Sequence, residues 1–333
     1  MRSLYRITAV AFFGLLLAAC QPDKTDVANP KALGSDDPAE VTERIAADLK
    51  ADNLLAALQA AVPPAAFDAM KAEYEKSRAE APSEADRVEF ADNIAKLTAD
   101  NAEATLMAEL EPMLVKYETE MAAQLPMFVA MGNGYAQQWL QEDKTLSEDQ
   151  KKQAVQMIDA VGKWLGSVNF ADRKLAGQAI DRVVAGARAL ELKTIDDVQA
   201  LTFEQAAGKA SIISATVKDV LALYGLKIND ALASVQASVV SEQADAARIS
   251  VEYKFFDQPL KVETDMVRQE GRWYGKDTLA KVERDLAAAS APVATADEQE
   301  FPEQDDAGAV VEGEVVPETD AAEAPAKTNA NTD

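Results

Sequence analysis

No histidine occurs anywhere in the 333 residues. The Ser-His-Asp and Cys-His nucleophile systems, histidine general bases and every imidazole metal site are excluded by that alone. One cysteine occurs, Cys20, which excludes disulfides within the chain and zinc or iron–sulfur sites built on thiolates. Such a chain has to rely on its apolar core, and 48% hydrophobic residues over this length supply the material for one. Bases are outnumbered: 33 Lys and Arg stand against 57 Asp and Glu, for a net charge of -24 and a pI near 4.4. That balance repels nucleic acid and anionic lipid headgroups, so no nucleic-acid partner is expected. The length allows about two domains.

The N-terminus is where positive charge is found without acids. Residues 1–19 hold Arg2 and Arg6, then an apolar run from Ile7 to Ala19. A basic start followed by a short apolar stretch is the pattern of a secretory signal, and the run is shorter than the ~20 residues that span a bilayer. It ends Leu17-Ala18-Ala19-Cys20. That ending resembles the bacterial lipobox, in which small residues precede a lipidated cysteine. The resemblance implies cleavage before Cys20, a diacylglycerol on its thiol and a third acyl chain on the new amino terminus. One acyl chain anchors marginally, whereas two or more hold stably. An ordinary signal with an unrelated cysteine is the alternative, and the position of the sole cysteine favours lipidation. Gln21 follows rather than Asp. In lipoproteins of enterobacteria an Asp there resembles an inner-membrane retention signal, so its absence implies the outer membrane, facing the periplasm. The membrane, reached through Cys20, is thus the first expected partner.

Residues 20–38 carry Pro22, Pro30, Gly34 and Pro38 with few apolar side chains, and read as a flexible tether. Residues 39–192 read as helical. Val41, Ile45 and Leu49 recur at spacing four, and Asp52-Asn53 breaks and re-caps the helix. Pro63-Pro64 stops it, and Pro64 starts the next, with Phe67, Met70 and Tyr74. Leu106, Leu110, Leu114, Tyr117 and Met121 form a stripe with Pro112 inside, where a kink or restart is expected. Pro126 opens a helix with Phe128, Met131, Tyr135 and Trp139; Ser147 with Gln150 forms a capping box; Asp172 caps a helix bearing Leu175, Ala179, Val183 and Leu190. Residues 193–290 read as an α+β region. Thr202 with Gln205 is another capping box, its helix carries Ile213, Val217, Leu221 and Tyr224, and Gly225 suits the position just past its end.

The period then changes from 3.6 to 2. Val235, Ala237 and Val239 alternate with polar residues, as do Ile249, Val251, Tyr253 and Phe255, and then Leu260, Val262, Thr264 and Met266. Gln269-Glu270-Gly271 turns the chain into a short fourth strand, Arg272-Trp273-Tyr274, so the sheet is an antiparallel meander. A two-residue loop at Asp257-Gln258 would set Lys254 opposite Lys261 and Glu252 opposite Glu263, which is unfavourable. Slipping by two residues keeps the apolar face and pairs Glu252 with Lys261 and Arg248 with Asp265. The apolar pattern leaves both registers open, and the charges favour the second, with a longer loop. A last helix is expected from Thr278 to Ala289. Residues 291–333 hold twelve acids, the single base Lys327 and one aromatic, Phe301, and read as a disordered acidic tail.

No segment has the alternating Asp/Asn loop of an EF-hand, so the acids read as solvated helix faces. A carboxylate pair could hydrolyse a glycoside without histidine, but no pair is flanked by the aromatics of a sugar cleft. Met131-Gly132-Asn133-Gly134-Tyr135 lacks the length and the Lys-Ser/Thr ending of a phosphate loop and sits in a helical pattern, where a kink or close packing explains it. Trp139, Trp164 and Trp273 lie on apolar faces or strands and read as core. The stretch from Leu260 to Lys276, with Gly271-Arg272-Trp273, resembles the closing hairpin of small NTF2-like domains, which occur in many bacterial lipoproteins. The chain as a whole is similar to lipoproteins of Gram-negative bacteria. The NTF2-like resemblance implies a pocket between sheet and helices, with Tyr253 and Trp273 as candidate lining. No catalytic residue, cofactor or metal follows from it.

The reading is therefore an α+β protein: a mostly helical N-terminal part followed by a three- to four-stranded antiparallel meander. Its expected role is a membrane-anchored envelope lipoprotein that binds a protein or small ligand without catalysis. A small-molecule binder with an NTF2-like pocket and a carboxylate-dependent hydrolase are the alternatives.

Overall fold

The computed structural model describes residues 37–143, 148–256 and 258–290. The signal segment, Cys20, the tether up to residue 36, Ser147 of one expected capping box and the tail at 291–333 lie outside them. Within them the protein is α+β, with twelve α-helices and one four-stranded antiparallel sheet.

The first helix, α1 (Pro38–Lys50), takes in Pro38, which the tether had been expected to include. Pro38 sits in the first turn, where its missing N–H costs nothing, and Asp37 caps it by accepting from the Ala39 N–H at 2.8 Å. The chain turns at Asp52, whose φ is +56°, and Asn53 re-caps α2 (Leu54–Ala61) by accepting from the Ala56 N–H at 3.3 Å. Pro63 and Pro64 then lead into α3 (Pro64–Arg78), and the Ser83–Asp86 capping box opens α4 (Glu84–Thr98).

Helix α5 (Ala102–Lys116) runs through Pro112 without the break expected there. The irregularity falls one turn later, as a π-helical segment at Tyr117–Met121. Arg173 holds that segment in place, bonding Glu111 on α5 at 2.9 Å and Glu118 on the π turn. Helices α6 (Leu125–Glu142) and α7 (Glu148–Ser167) form an antiparallel pair, with Asn133 of α6 against Gly162 of α7. Next come α8 (Arg173–Leu190), capped by Asp172 as expected, then α9 (Ile195–Ala200), α10 (Phe203–Leu223) and α11 (Ile228–Ala233). The short helices α9 and α11 carry too few turns to leave a periodic signal and were not anticipated. Gly225, with φ +88°, closes α10: its N–H bonds the Ala222 carbonyl and that of Leu226 bonds Leu221, a Schellman pattern.

Two helices present a different face from the one the apolar residues suggested. In α8 the buried residues are Ala176, Ile180, Val184 and Ala187, one position round from the expected stripe, and Val183 is exposed. Ile180 and Val184 of that face pack against Leu106, Met107 and Leu110 of α5, and α8 also lies close against α10, where a methyl group on Gly186 would run into the Thr216 side chain. In α10 Ile213 and Val217 are exposed, while Lys218 is buried with 7% of its surface accessible.

Four strands follow: β1 (Gln236–Gln243), β2 (Ala246–Phe255), β3 (Gln258–Gln269) and β4 (Arg272–Gly275), paired in chain order. The β2–β3 register sets Glu252 opposite Lys261 and Arg248 opposite Asp265, the arrangement the charges favoured. It is reached without a longer loop. Gln258 and Pro259 join β3 and only Phe256 and Asp257 remain in the turn, with Asp257 outside the described residues. Glu252 and Lys261 bond at 2.8 Å and Arg248 and Asp265 at 3.0 Å on the outer face. Edge strand β1 departs from its pattern: a bulge between Val239 and Ser241 shifts it, and Val239 and Val240 are exposed. The closing helix is α12 (Lys276–Ser290).

The inner sheet face carries Ile249, Val251, Met266 and Trp273, and it packs against Val41, Leu49 and Leu54 of α1 and α2 with Leu232 of α11. The first helices of the chain thus share one core with the last strands. Lys218 secures that arrangement. Its ammonium bonds the carbonyls of Leu49 at 2.8 Å and Lys50 at 3.3 Å and lies 2.8 Å from the Asp52 carboxylate. Ser211, two turns earlier on α10, accepts from the Leu54 N–H at 3.4 Å. Replacing Lys218 by Met leaves two helix-end carbonyls and a half-buried carboxylate without their donor. Urea denaturation of Lys218→Met is expected to show a loss of about 3 kcal/mol, and the double variant Lys218→Met/Asp52→Asn to recover part of it.

Candidate functional site

The aromatic side chains gather where α7, the loop before α8, the end of α10 and the β2–β3 turn meet. Trp164 of α7 is fixed by a 2.6 Å hydrogen bond from its Nε1 to the Tyr224 carbonyl, exposed at the end of α10 by the turn at Gly225. Phe256 stacks on the indole at 6.1 Å between centroids. Phe170 stacks on Tyr224 at 5.8 Å and meets Trp164 and Tyr117 edge-on, so the wall has alternating face and edge contacts. Between them lies a groove of about 680 Å³, with Trp164, Tyr224 and Phe256 on its sides and Lys163, Asn169 and Gln258 as polar groups.

Phe256 stands at φ +49°, a conformation costly for a bulky residue without a tolerant side chain. The β2–β3 register imposes it, because it leaves two residues for the turn. The same conformation aims the ring at Trp164 rather than out to solvent. Burial, and secondarily the Asp172 charge, raises the Tyr224 phenol above its ordinary value, so it stays a neutral hydrogen-bonding group. Chemically the groove offers flat apolar walls and one cation, Lys163. That combination suits a flat, apolar group carrying negative charge.

Tyr253 lies elsewhere. It lines a second groove, of about 730 Å³, with Glu43, Ser234, Gln236, Glu252 and Lys261. Its hydroxyl sits 3.6 Å from the Met157 sulfur, and burial raises its pKa. This groove is of mixed charge, and Glu43 is already committed to β1 through the Ala237 N–H at 2.9 Å. Trp273 lines neither groove. It is fully buried on the inner sheet face, with the Arg268 guanidinium 5.8 Å from its ring centroid. Around Trp273 the sheet and helices are packed by Ile249, Val251, Met266, Val41, Leu49 and Leu54, so of the two candidate lining residues only Tyr253 borders a groove. Trp164 belongs to the aromatic groove, and Trp139, expected in the core, is 64% exposed on α6.

Of the aromatic cluster, Phe170 and Phe256 escaped sequence reasoning, because they sit in a loop and a turn where periodicity says nothing, and Tyr224 was read only as part of a helix stripe. The available signal was compositional: aromatics are 6% of the chain, yet Phe255-Phe256 are adjacent at a turn. Among the described residues no three His, Cys, Asp or Glu side chains converge as metal ligands. No family model, curated protein or solved structure matches the chain.

Burial raises the Asp48 carboxyl above its ordinary value of 3.8, opposed by Arg44 at 4.0 Å. Asp48 sits on α1 and lines neither groove. Because its folded pKa is raised, ionisation costs the folded state. The penalty is absent below pH 3.8, grows as pH rises toward the raised pKa and is constant above it. Asp48→Asn is therefore expected to raise the thermal midpoint at pH 7, and the gain should shrink as the pH is lowered into the carboxylate range.

Proposed function

We propose that this chain is an envelope lipoprotein, cut before Cys20, held to the outer membrane by acyl chains on that residue, and acting by binding on the periplasmic side. One observation carries the reading. The only cysteine in 333 residues stands directly after a basic start, an apolar run and Leu17-Ala18-Ala19. The absence of histidine, and of any group of three possible metal-ligating side chains among the described residues, favours binding as the activity. Intact mass and detergent partitioning of the native protein beside Cys20→Ala test the anchor. The native chain should begin at Cys20 with acyl mass and enter the detergent phase, and the variant should leave it. A native chain that keeps its signal, or lacks acyl mass and stays in water, overturns the reading.

The aromatic groove is the binding site proposed within that reading, for a flat apolar group bearing an anion near Lys163. A naphthalene sulfonate is the probe. Calorimetry should show one-to-one binding, weakened about tenfold, or ~1.4 kcal/mol, in Phe256→Asn. Asn tolerates the positive φ, so the turn survives while the wall is lost. Equal affinity in the two proteins removes the groove from the proposal and leaves the anchor standing.

A further inference from the structure

Helix α6 is amphipathic in an unusual sense. Leu125, Val129, Ala136 and Leu140 turn toward α7, its principal neighbour, and Gln137 donates to Asp159 of α7 at 3.2 Å. The opposite face is apolar too. Met127 is 58% exposed, Phe128 44%, Met131 50%, Tyr135 68% and Trp139 64%, and their spacing of three and four residues sets them in one stripe along the helix. No Asp, Glu, Lys or Arg occurs between Glu120 and Glu142. In a chain of net charge -24 this is a long surface from which charge has been kept out.

We propose that this face lies on a zwitterionic lipid surface, as a second point of contact beside the acyl anchor; the proposal deepens the lipoprotein reading and rests on it. Three features favour lipid over a protein partner. The stripe ends in Tyr135 and Trp139, whose amphipathic rings suit the level of the headgroups. The stripe is narrow: five exposed side chains on a helix about 27 Å long fall short of the roughly 20–30 residues per partner of a stable protein interface. Interfacial binding has no such threshold, since it grows with each apolar side chain inserted. The anchor also supplies proximity. Cys20 and Pro38 are close enough in sequence that the connecting chain spans at most ~60 Å, so α6 works at high effective concentration against the bilayer. The glutamates at both ends, Glu120 and Glu142, and the net charge make the preferred surface zwitterionic rather than anionic.

The test uses the chain from residue 20 to 333 carrying Cys20→Ser, which has no lipid, so the result is independent of the anchor. With vesicles of phosphatidylcholine and phosphatidylethanolamine the protein should float, with a blue-shifted tryptophan emission that is absent in Trp139→Phe. Met131→Asp/Tyr135→Asp should lower the bound fraction at least tenfold. Its circular dichroism and thermal midpoint should not change, because both side chains are exposed. Phosphatidylglycerol added to the vesicles should weaken binding. A wild-type chain that stays at the bottom of the gradient, or a double variant that floats equally well, overturns the proposal. So does a light-scattering dimer dispersed by the double variant without flotation, which would make α6 a self-association face. Failure of the anchor itself appears separately, as a missing acyl mass at Cys20.

Discussion

The buried ammonium of Lys218 is the contact on which the arrangement of the chain depends. It donates to the Leu49 and Lys50 carbonyls at the end of α1 and forms an ion pair with Asp52 in the turn that follows. A charge at 7% exposure is costly to desolvate, and the two carbonyl hydrogen bonds with the ion pair offset that cost. A cation there also complements the negative end of the α1 dipole. Because Lys218 is on α10 and its acceptors lie about 170 positions earlier, this contact joins two parts of the described chain that are distant in sequence. The α1–α2 turn then presents Val41, Leu49 and Leu54 to the inner face of a sheet built from the last part of the chain.

The same contact explains why apolar residues of α10 face water. A helix has one rotation about its axis, and Lys218 with Ser211 uses it to reach the α1–α2 turn. Ile213 and Val217 lie on the other side and stay exposed. In α8, Ile180 and Val184 meet Leu106, Met107 and Leu110 of α5 while Gly186 lies against Thr216 of α10, so the fit to two neighbours likewise sets which face is buried. In both cases the fit between two helices outweighs the hydrophobic pattern of either one.

Element by element, the chain was readable where a signal is local. The caps at Asp172 and Thr202, the stop at Gly225, the strands of the meander and the charge-matched β2–β3 register all follow from neighbours in sequence or directly across a strand. Pro112 shows the limit of such rules. Its helix continues without the restart considered there, and a π turn follows it, held by Arg173, a residue far along the chain. The aromatic groove was illegible for a related reason. Trp164, Phe170, Tyr224 and Phe256 come from four separate segments, and only the docking of those segments makes them one wall.

The sequence by itself determined the α+β class, the order of helices before strands, and the exclusion of histidine chemistry and of thiolate metal clusters; it also carries the residues before Cys20 on which the proposed anchor rests. These rest on composition, on residue type at one position and on periodicities set by backbone geometry. The tertiary structure alone decided which side of α8 and α10 is buried. It left Trp139 and its stripe facing outward and turned Phe256 onto Trp164, whereas the burial of Trp273 was legible in the strand pattern. Those outcomes depend on what lies across the gap between elements distant in sequence, where a single long-range ion pair or a close helix contact can outweigh a whole apolar face.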